Sequence, residues 1–125
     1  MFEALFRIVA LVESNEQGQR VFHVTEHGAP ANESAFSSLL STVYQQQVYP
    51  TLQAGDTLTI TVHLDLPPRE IERTVRLRED GQFEGEGMQQ PTSDLLPMVS
   101  TMYEQFFQQV DPGDVFTVMF RVQRF

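Results

Sequence analysis

The sequence predicts a single α+β domain in which one mainly antiparallel sheet carries two helices on one face. The first observation behind this prediction is an internal repeat. The segment LLSTVYQQ at 39–46 resembles the segment MVSTMYEQ at 98–105. Each copy continues into a Gly-Asp turn and then into an apolar strand. Self-similarity at a fixed offset constrains architecture. Two helix-turn-strand copies within 125 residues therefore predict one pseudo-symmetric domain that spans positions 1–125.

The first two elements follow from the alternation of apolar side chains. Residues 2–12 are apolar on both faces of a strand, which predicts a central strand or one that a partner covers. A turn rich in Asn, Gln and Gly comes next. Residues 20–26 then alternate with Phe22 and Val24 inward, which predicts the second strand.

Two amphipathic segments predict the helices. Helix one begins at Asn32 or Ser34, either of which can cap it, and ends before Pro50. Thr92, Ser93 or Asp94 is predicted to cap helix two, which tolerates Pro97 in its first turn. The apolar stripes consist of Phe36, Leu39, Leu40, Val43 and Val48 in helix one, and of Leu95, Val99, Met102, Phe106 and Val110 in helix two.

Three more strands complete the domain. Residues 57–64 and 115–125 alternate strictly, and residues 71–78 place Val75 and Leu77 inward. The stretch 79–91 shows no period and contains three glycines and several carboxylates, which predicts an acidic mobile loop.

The predicted order is β-β-α-β-β-α-β, with five strands in all. The last four strands and both helices spell β-α-β-β-α-β, which resembles the split order of ferredoxin-like domains with an extra N-terminal strand. A ubiquitin-like or cystatin-like arrangement of the same elements is the alternative. This resemblance concerns the order of elements only and implies no function.

The charged residues exclude several function classes. The net charge is −9, all eight basic residues are Arg, and there is no Lys and no Cys. This composition excludes lysine Schiff-base chemistry, thiolate nucleophiles and disulfides. It also disfavours direct binding of nucleic acid or membranes, which attract cationic surfaces. With no long apolar run and no basic leader, the sequence predicts a cytoplasmic protein.

No residue pattern indicates an enzyme, a cofactor or a metal. His23 and His63 are predicted on the same sheet face, where Asp65 or Glu26 would complete a metal site, but the spacing is not that of a metal motif. The two Asp residues of the Gly-Asp turns are predicted to hydrogen-bond the turn backbone.

Two surfaces are candidate binding sites. The first is the open face of the sheet, where the alternation concentrates basic side chains beside a row of Thr. The second is the acidic loop. The open-face residues are Arg76, Arg78, Arg121, His23 and His63, and the loop residues are Glu79, Asp80, Glu84 and Glu86.

These features favour a non-catalytic acidic module that binds another, basic protein. A sharper form of this hypothesis is a decoy that occupies a basic nucleic-acid groove, as phage-borne inhibitors of host defence nucleases do. One alternative is a small-ligand-binding or sensor domain that acts as a homodimer, with Phe and Met side chains around helix two lining its pocket. Another is a structural subunit of a larger assembly.

Overall fold

The computed structural model of the protein describes residues 1–25, 31–85 and 88–125. Over these residues it has two α-helices and one six-stranded sheet. The elements are β1 (Phe2–Ser14), β2 (Arg20–Val24), α1 (Glu33–Val43), β3 (Thr57–Asp65), β4 (Pro68–Leu77), β5 (Phe83–Gly85), α2 (Leu96–Phe107) and β6 (Val115–Arg124). The α+β class is therefore confirmed, with six strands in the described chain where the sequence predicted five.

The strand order is β2-β1-β6-β3-β4-β5, and every neighbouring pair is antiparallel. The last strand, β6, lies at the centre and pairs with β1 on one side and β3 on the other. A ferredoxin-like core would place β2 beside β6. The structure instead pairs β2 with β1, so the predicted ferredoxin-like strand order is not observed.

The additional strand lies within the stretch predicted to be a loop. Phe83–Gly85 pairs with the end of β4, and the backbone of Phe83 also bridges to Thr92. Phe83 is fully buried. A Cβ on Gly85 would approach the carbonyl oxygen of Thr74 to 2.5 Å, so glycine is what lets β5 lie this close to β4.

Both helices pack on the same face of the sheet. Phe36 of α1 stacks on Phe22 of β2 with ring centroids 4.5 Å apart, and Phe107 of α2 lies 5.3 Å from the same ring. Both helical rings also contact Phe116 of β6, at 5.5 and 5.6 Å. This four-ring cluster fills the space where the two helices meet the sheet, and it leaves the opposite face of the sheet uncovered by either helix.

Local signals in the sequence explain where the helices begin. The side chain of Asn32 caps α1 by accepting a hydrogen bond from the amide of Ala35 at 2.8 Å. Before α2, Asp94 accepts from the amide of Leu96 at 3.0 Å, and Pro97 lies in the first turn. Helix α1 then runs on through a π-helical turn at Tyr44–Val48 and a 3-10 turn at Tyr49–Thr51. Among the described residues, neither helix has the length and hydropathy that crossing a bilayer requires.

The two Gly-Asp turns have the same backbone hydrogen bonding. Gly55 and Gly113 have φ of +92° and +94°, values that favour glycine. The amide of Gly55 donates to the carbonyl of Leu77 at the end of β4, and that of Gly113 donates to Val12 near the end of β1. Each turn thus fastens the beginning of one strand to the end of another.

Candidate binding surface

The open face is defined as the side chains of the sheet that point away from both helices. Because side chains alternate along a strand, the pairing registers identify its rows. One row runs from Leu5 through Arg121 and Thr59 to Thr74, and the next contains Met119. No described helix covers this face, so another molecule can contact it.

The basic side chains predicted here are mostly paired with carboxylates. Arg76 lies 3.2 Å from Glu84 of β5, and Arg78 lies 2.9 Å from Asp80 in the turn between β4 and β5. These contacts join the two surfaces that the sequence analysis treated as separate. Surface pairs of this kind contribute little stability, about 0–1 kcal/mol each, but they neutralise the local charge.

His63 has two acidic neighbours on the open face. Its Nε2 lies 2.7 Å from Asp65 Oδ1 and its Nδ1 lies 3.4 Å from Glu70 Oε1. The second contact is close enough for electrostatic attraction but lacks hydrogen-bond geometry, because Nδ1 is buried without a hydrogen-bond partner among the described residues. His63 is therefore surrounded by negative charge.

The predicted proximity of His23 and His63 is wrong. His23 lies on β2 and His63 on β3, and two strands, β1 and β6, separate them. Three strand spacings amount to roughly 14 Å, which is too far for a shared metal ion. His23 instead lies 3.9 Å from Glu13. The described residues contain no group of three potential metal ligands, and Glu26 lies outside them.

Arg121 occupies the central strand and, like Arg7 on β1, has no ion pair among the described side chains. Its Nε is buried and makes no hydrogen bond there. Its neighbours across the strands are Leu5 on β1 and Thr59 on β3. The guanidinium is thus set among apolar and neutral side chains at the middle of the face.

The open face as a whole is acidic, contrary to the predicted concentration of cations. The period-two pattern located the arginines and histidines but gave no weight to the carboxylates that the neighbouring strands place opposite them. The outward carboxylates are those of Glu3, Glu13, Asp65, Glu70, Glu72 and Glu84, and the outward arginines within the strands are Arg7, Arg76 and Arg121.

An apolar strip lies beside these carboxylates. Leu5 is 52% exposed and Leu11 is 39% exposed on β1. Val9, which lies between these two leucines on β1, is half-buried, and so are Val115 and Met119 on the neighbouring strand β6. Single exposed apolar side chains are common on monomeric proteins, whereas a contiguous row indicates a surface that another molecule covers.

The predicted acidic loop is only partly a loop. Glu84 belongs to β5, and Asp80 and Glu84 are the carboxylates that pair with arginines. Glu79 is exposed and has no ion pair within the described part of the chain. Glu86 lies outside the described residues, so its position is not part of this description.

Two buried carboxylates accept hydrogen bonds that connect the turns to the strands of the sheet. Asp56 is 0% exposed and receives hydrogen bonds from the amide of Gln53 and from Arg124. Hydrogen bonds from Arg124 hold the pKa of the Asp56 carboxyl below its usual value, against the opposing effect of burial. The turn hydrogen bond confirms the predicted role of Asp56.

Asp114 is 1% exposed and serves the equivalent turn. Its Oδ1 accepts from the amides of Val115, Asp65 and Leu66, at 2.8, 3.1 and 3.0 Å. Arg69 lies 3.3 Å from its Oδ2. Asp114 therefore holds both its own turn and the end of β3, whereas the sequence predicted hydrogen bonds to the turn alone.

A hydroxyl cluster joins the helices. The hydroxyl of the fully buried Tyr103 lies 3.3, 3.2 and 3.1 Å from those of Ser37, Ser41 and Ser100. Ser41 and Ser100 hold corresponding positions in the similar segments 39–46 and 98–105, and the hydroxyls of both contact that of Tyr103. The geometry is that of a structural contact between helices, with no acid or base beside the hydroxyls among the cited contacts.

Compared with known proteins, the chain matches no protein-family model, and no curated protein or solved structure is significantly similar to it. The surface chemistry described above is therefore the basis for a functional conclusion.

Proposed function

We propose that this protein is a non-catalytic module that binds the basic surface of another protein through the open face of its sheet. The observation that carries the proposal is the juxtaposition on that face of an apolar strip with an excess of carboxylates. Apolar contact supplies affinity, and the acidic rim selects a basic partner and accelerates encounter. A net charge of −9 extends the attraction beyond the contact area.

The decoy hypothesis is the sharper form of this proposal. A basic nucleic-acid groove is the protein surface most complementary to an acidic face with a row of hydroxyls. Binding of this kind weakens steeply with added salt, because the contact is largely electrostatic. The proposed setting is the cytoplasm, where such basic proteins are accessible.

The ligand-binding alternative has less support. Phe107 of α2, one of the side chains around helix two that were candidates for lining a pocket, packs against Phe22 and Phe116 with ring centroids 5.3 and 5.6 Å away. They are core residues, as Phe-rich helices in α+β domains generally are. A structural subunit is the third hypothesis, and no contact described above favours it specifically.

Photo-crosslinking with matched positions tests the proposal. Thr74 on the open face and Thr101 on α2 are both exposed threonines. A photo-crosslinking amino acid at each position is activated in an extract of the native host. We expect adducts with a basic protein from position 74 that decline as salt is raised, and none from position 101. Equal adduct formation at both positions, or adducts at 74 that do not depend on salt, would contradict the proposal.

A further inference from the structure

We propose that the outer edge of β1 is a self-association site, at which two copies of this chain pair their β1 strands antiparallel. Along one side, β1 pairs with β6 from Phe2 to Leu11. On the other side, the register with β2 covers only Ala10–Ser14, and one more bond joins the amide of Thr25 to the carbonyl of Val9. Within the described ranges, no residue pairs with this edge from Phe2 to Ile8. A strand edge of this length with which no described residue pairs is a template for another strand.

The backbone groups available at the edge follow from the alternation. The carbonyl of Val9 bonds on the β2 side, whereas the amide of Val12 donates to Asp114, on the β6 side. Odd-numbered residues therefore direct their amide and carbonyl groups outward. At the free edge these are the groups of Glu3, Leu5 and Arg7, which is enough for six hydrogen bonds between two copies.

The charges on the edge are self-complementary in a single register. Antiparallel pairing centred on Leu5 places Glu3 of each copy opposite Arg7 of the other. A shift by two residues in either direction keeps the same faces but sets Glu3 opposite Val9 or Leu5. Opposite charges directly across a strand pair are stabilising and like charges are destabilising. The sequence thus favours a second copy of itself as the occupant of this edge.

Side-chain sizes agree with the same register. On the helix side of the sheet, Ala4 of one copy faces Phe6 of the other, so a small residue accommodates a large one. Between this edge and α1 lies a groove of about 350 Å³ whose lining includes Ile8 and Val43. The register places Phe2 of the second copy opposite Ile8, so the groove offers space for the incoming Phe2. On the open face, Leu5 meets Leu5 of the second copy, and its 52% exposed side chain becomes covered.

The dimer goes beyond the proposed function, because it is formed by the edge of the sheet rather than by its face. Leu5 takes part in both, since it belongs to the apolar strip and lies at the centre of the pairing. In such a dimer the two open faces would join into one continuous surface, with the apolar strips side by side at the centre.

Charge exchange, followed by sedimentation equilibrium, tests the proposal. Wild type is expected to form a dimer at submillimolar concentration. Arg7→Glu and Glu3→Arg each create two like-charge pairs in the dimer and are expected to raise its dissociation constant roughly tenfold or more. The double variant E3R/R7E restores both pairs and should dimerise like wild type. An equimolar mixture of the two single variants should form heterodimers, because each Arg then faces a Glu.

Controls with the same change of charge separate this pairing from general electrostatics. Arg73→Glu on β4 and Glu16→Arg in the β1–β2 turn alter exposed residues away from the edge and should leave the dissociation constant unchanged. A wild-type monomer at the highest concentration, single variants that dimerise like wild type, or a double variant as weak as the single ones would each overturn the proposal. Far-UV circular dichroism checks that every variant is folded.

Discussion

Arg124 donates from both Nε and Nη2 to the carboxylate of Asp56, each over 2.8 Å, and so ties the end of β6 to the turn that begins β3. The same guanidinium also donates to the carbonyl of Thr51, at 3.2 Å. A bidentate arginine–carboxylate contact combines two charge-assisted hydrogen bonds in one fixed geometry, here to a fully buried carboxylate. It fastens the central strand of the sheet to the segment that follows α1.

Replacing Asp56 by Ala should therefore destabilise the fold substantially. The change leaves the guanidinium of Arg124 and the amide of Gln53 without their acceptor. We expect a loss of about 3 kcal/mol in the free energy of unfolding, at the low end for buried pairs because Arg124 remains partly accessible to water. Urea denaturation measures it. Asp111→Ala, an exposed carboxylate before the other Gly-Asp turn, is the control and should change stability by less than about 0.5 kcal/mol.

The lowered pKa of Asp56 predicts a pH dependence with a defined sign. Because the carboxyl has a lower pKa in the folded state than in the unfolded chain, the unfolded state takes up its proton first as the pH falls. The stability that Asp56 contributes is complete above the unfolded value of about 4 and is lost as the pH falls toward the folded value. The stability difference between wild type and Asp56→Asn should thus be constant near neutral pH and shrink below about pH 4. A difference that grows on acidification would contradict this assignment.

Asp114 should stabilise the fold more through its hydrogen bonds from backbone amides than through its ion pair with Arg69. Asp114→Ala removes the acceptor of three backbone amides and is expected to cost about 3 kcal/mol or more. Arg69→Met removes one contact of 3.3 Å from a partly exposed guanidinium and should cost about 1 kcal/mol or less. Equal losses in urea denaturation would show that the ion pair, rather than the turn, carries the stability.

The hydroxyl of Tyr103 should stabilise the packing of α1 against α2. Tyr103→Phe leaves three serine hydroxyls without a common partner, and we expect a loss of about 1–2 kcal/mol in the free energy of unfolding. Tyr44 holds the position of Tyr103 in the similar segment 39–46 and provides a matched control.

The hydroxyl of Tyr44 makes no hydrogen bond to a described residue, and burial, with Tyr49 and Asp94 nearby, raises its pKa well above the ordinary value. Tyr44→Phe should change stability by less than about 0.5 kcal/mol. If Tyr103→Phe and Tyr44→Phe lost the same amount of stability, the contacts of Tyr103 with the three serines would not explain the loss.

Much of the fold was predictable because the main signals are local. Alternation located β1, β3 and β6, and Asn32 and Pro97 marked helix beginnings that the structure confirms. The strand order was not predictable, since it depends on which hydrogen-bonding edges meet after collapse. β5 was missed because three residues are too few to show a period, and its clearest sequence signal is Gly85.

On the candidate surface, too, the local pattern was predictable and the contacts between strands were not. The alternation placed His63, Arg76 and Arg121 on the open face, but most of the carboxylates that make this face acidic lie on neighbouring strands. The predicted proximity of His23 and His63 failed for the same reason, because pairing order decides which residues share a neighbourhood. The arginine partners of the buried Asp56 and Asp114 were also not predictable, because they are 68 and 45 residues away in the sequence.

The most direct measurement of the proposed function compares two charge reversals, one on each side of the domain. Glu72 lies on the open face and Glu104 on α2, and both are exposed. Fluorescence anisotropy measures the binding of a labelled oligo-arginine peptide to wild type, Glu72→Arg and Glu104→Arg at physiological salt, where charges interact over only about 8 Å. If the open face is the binding surface, Glu72→Arg weakens binding several-fold and Glu104→Arg leaves it within about twofold of wild type. Equal weakening by both variants, or a larger effect at Glu104, would contradict the assignment of function to this face.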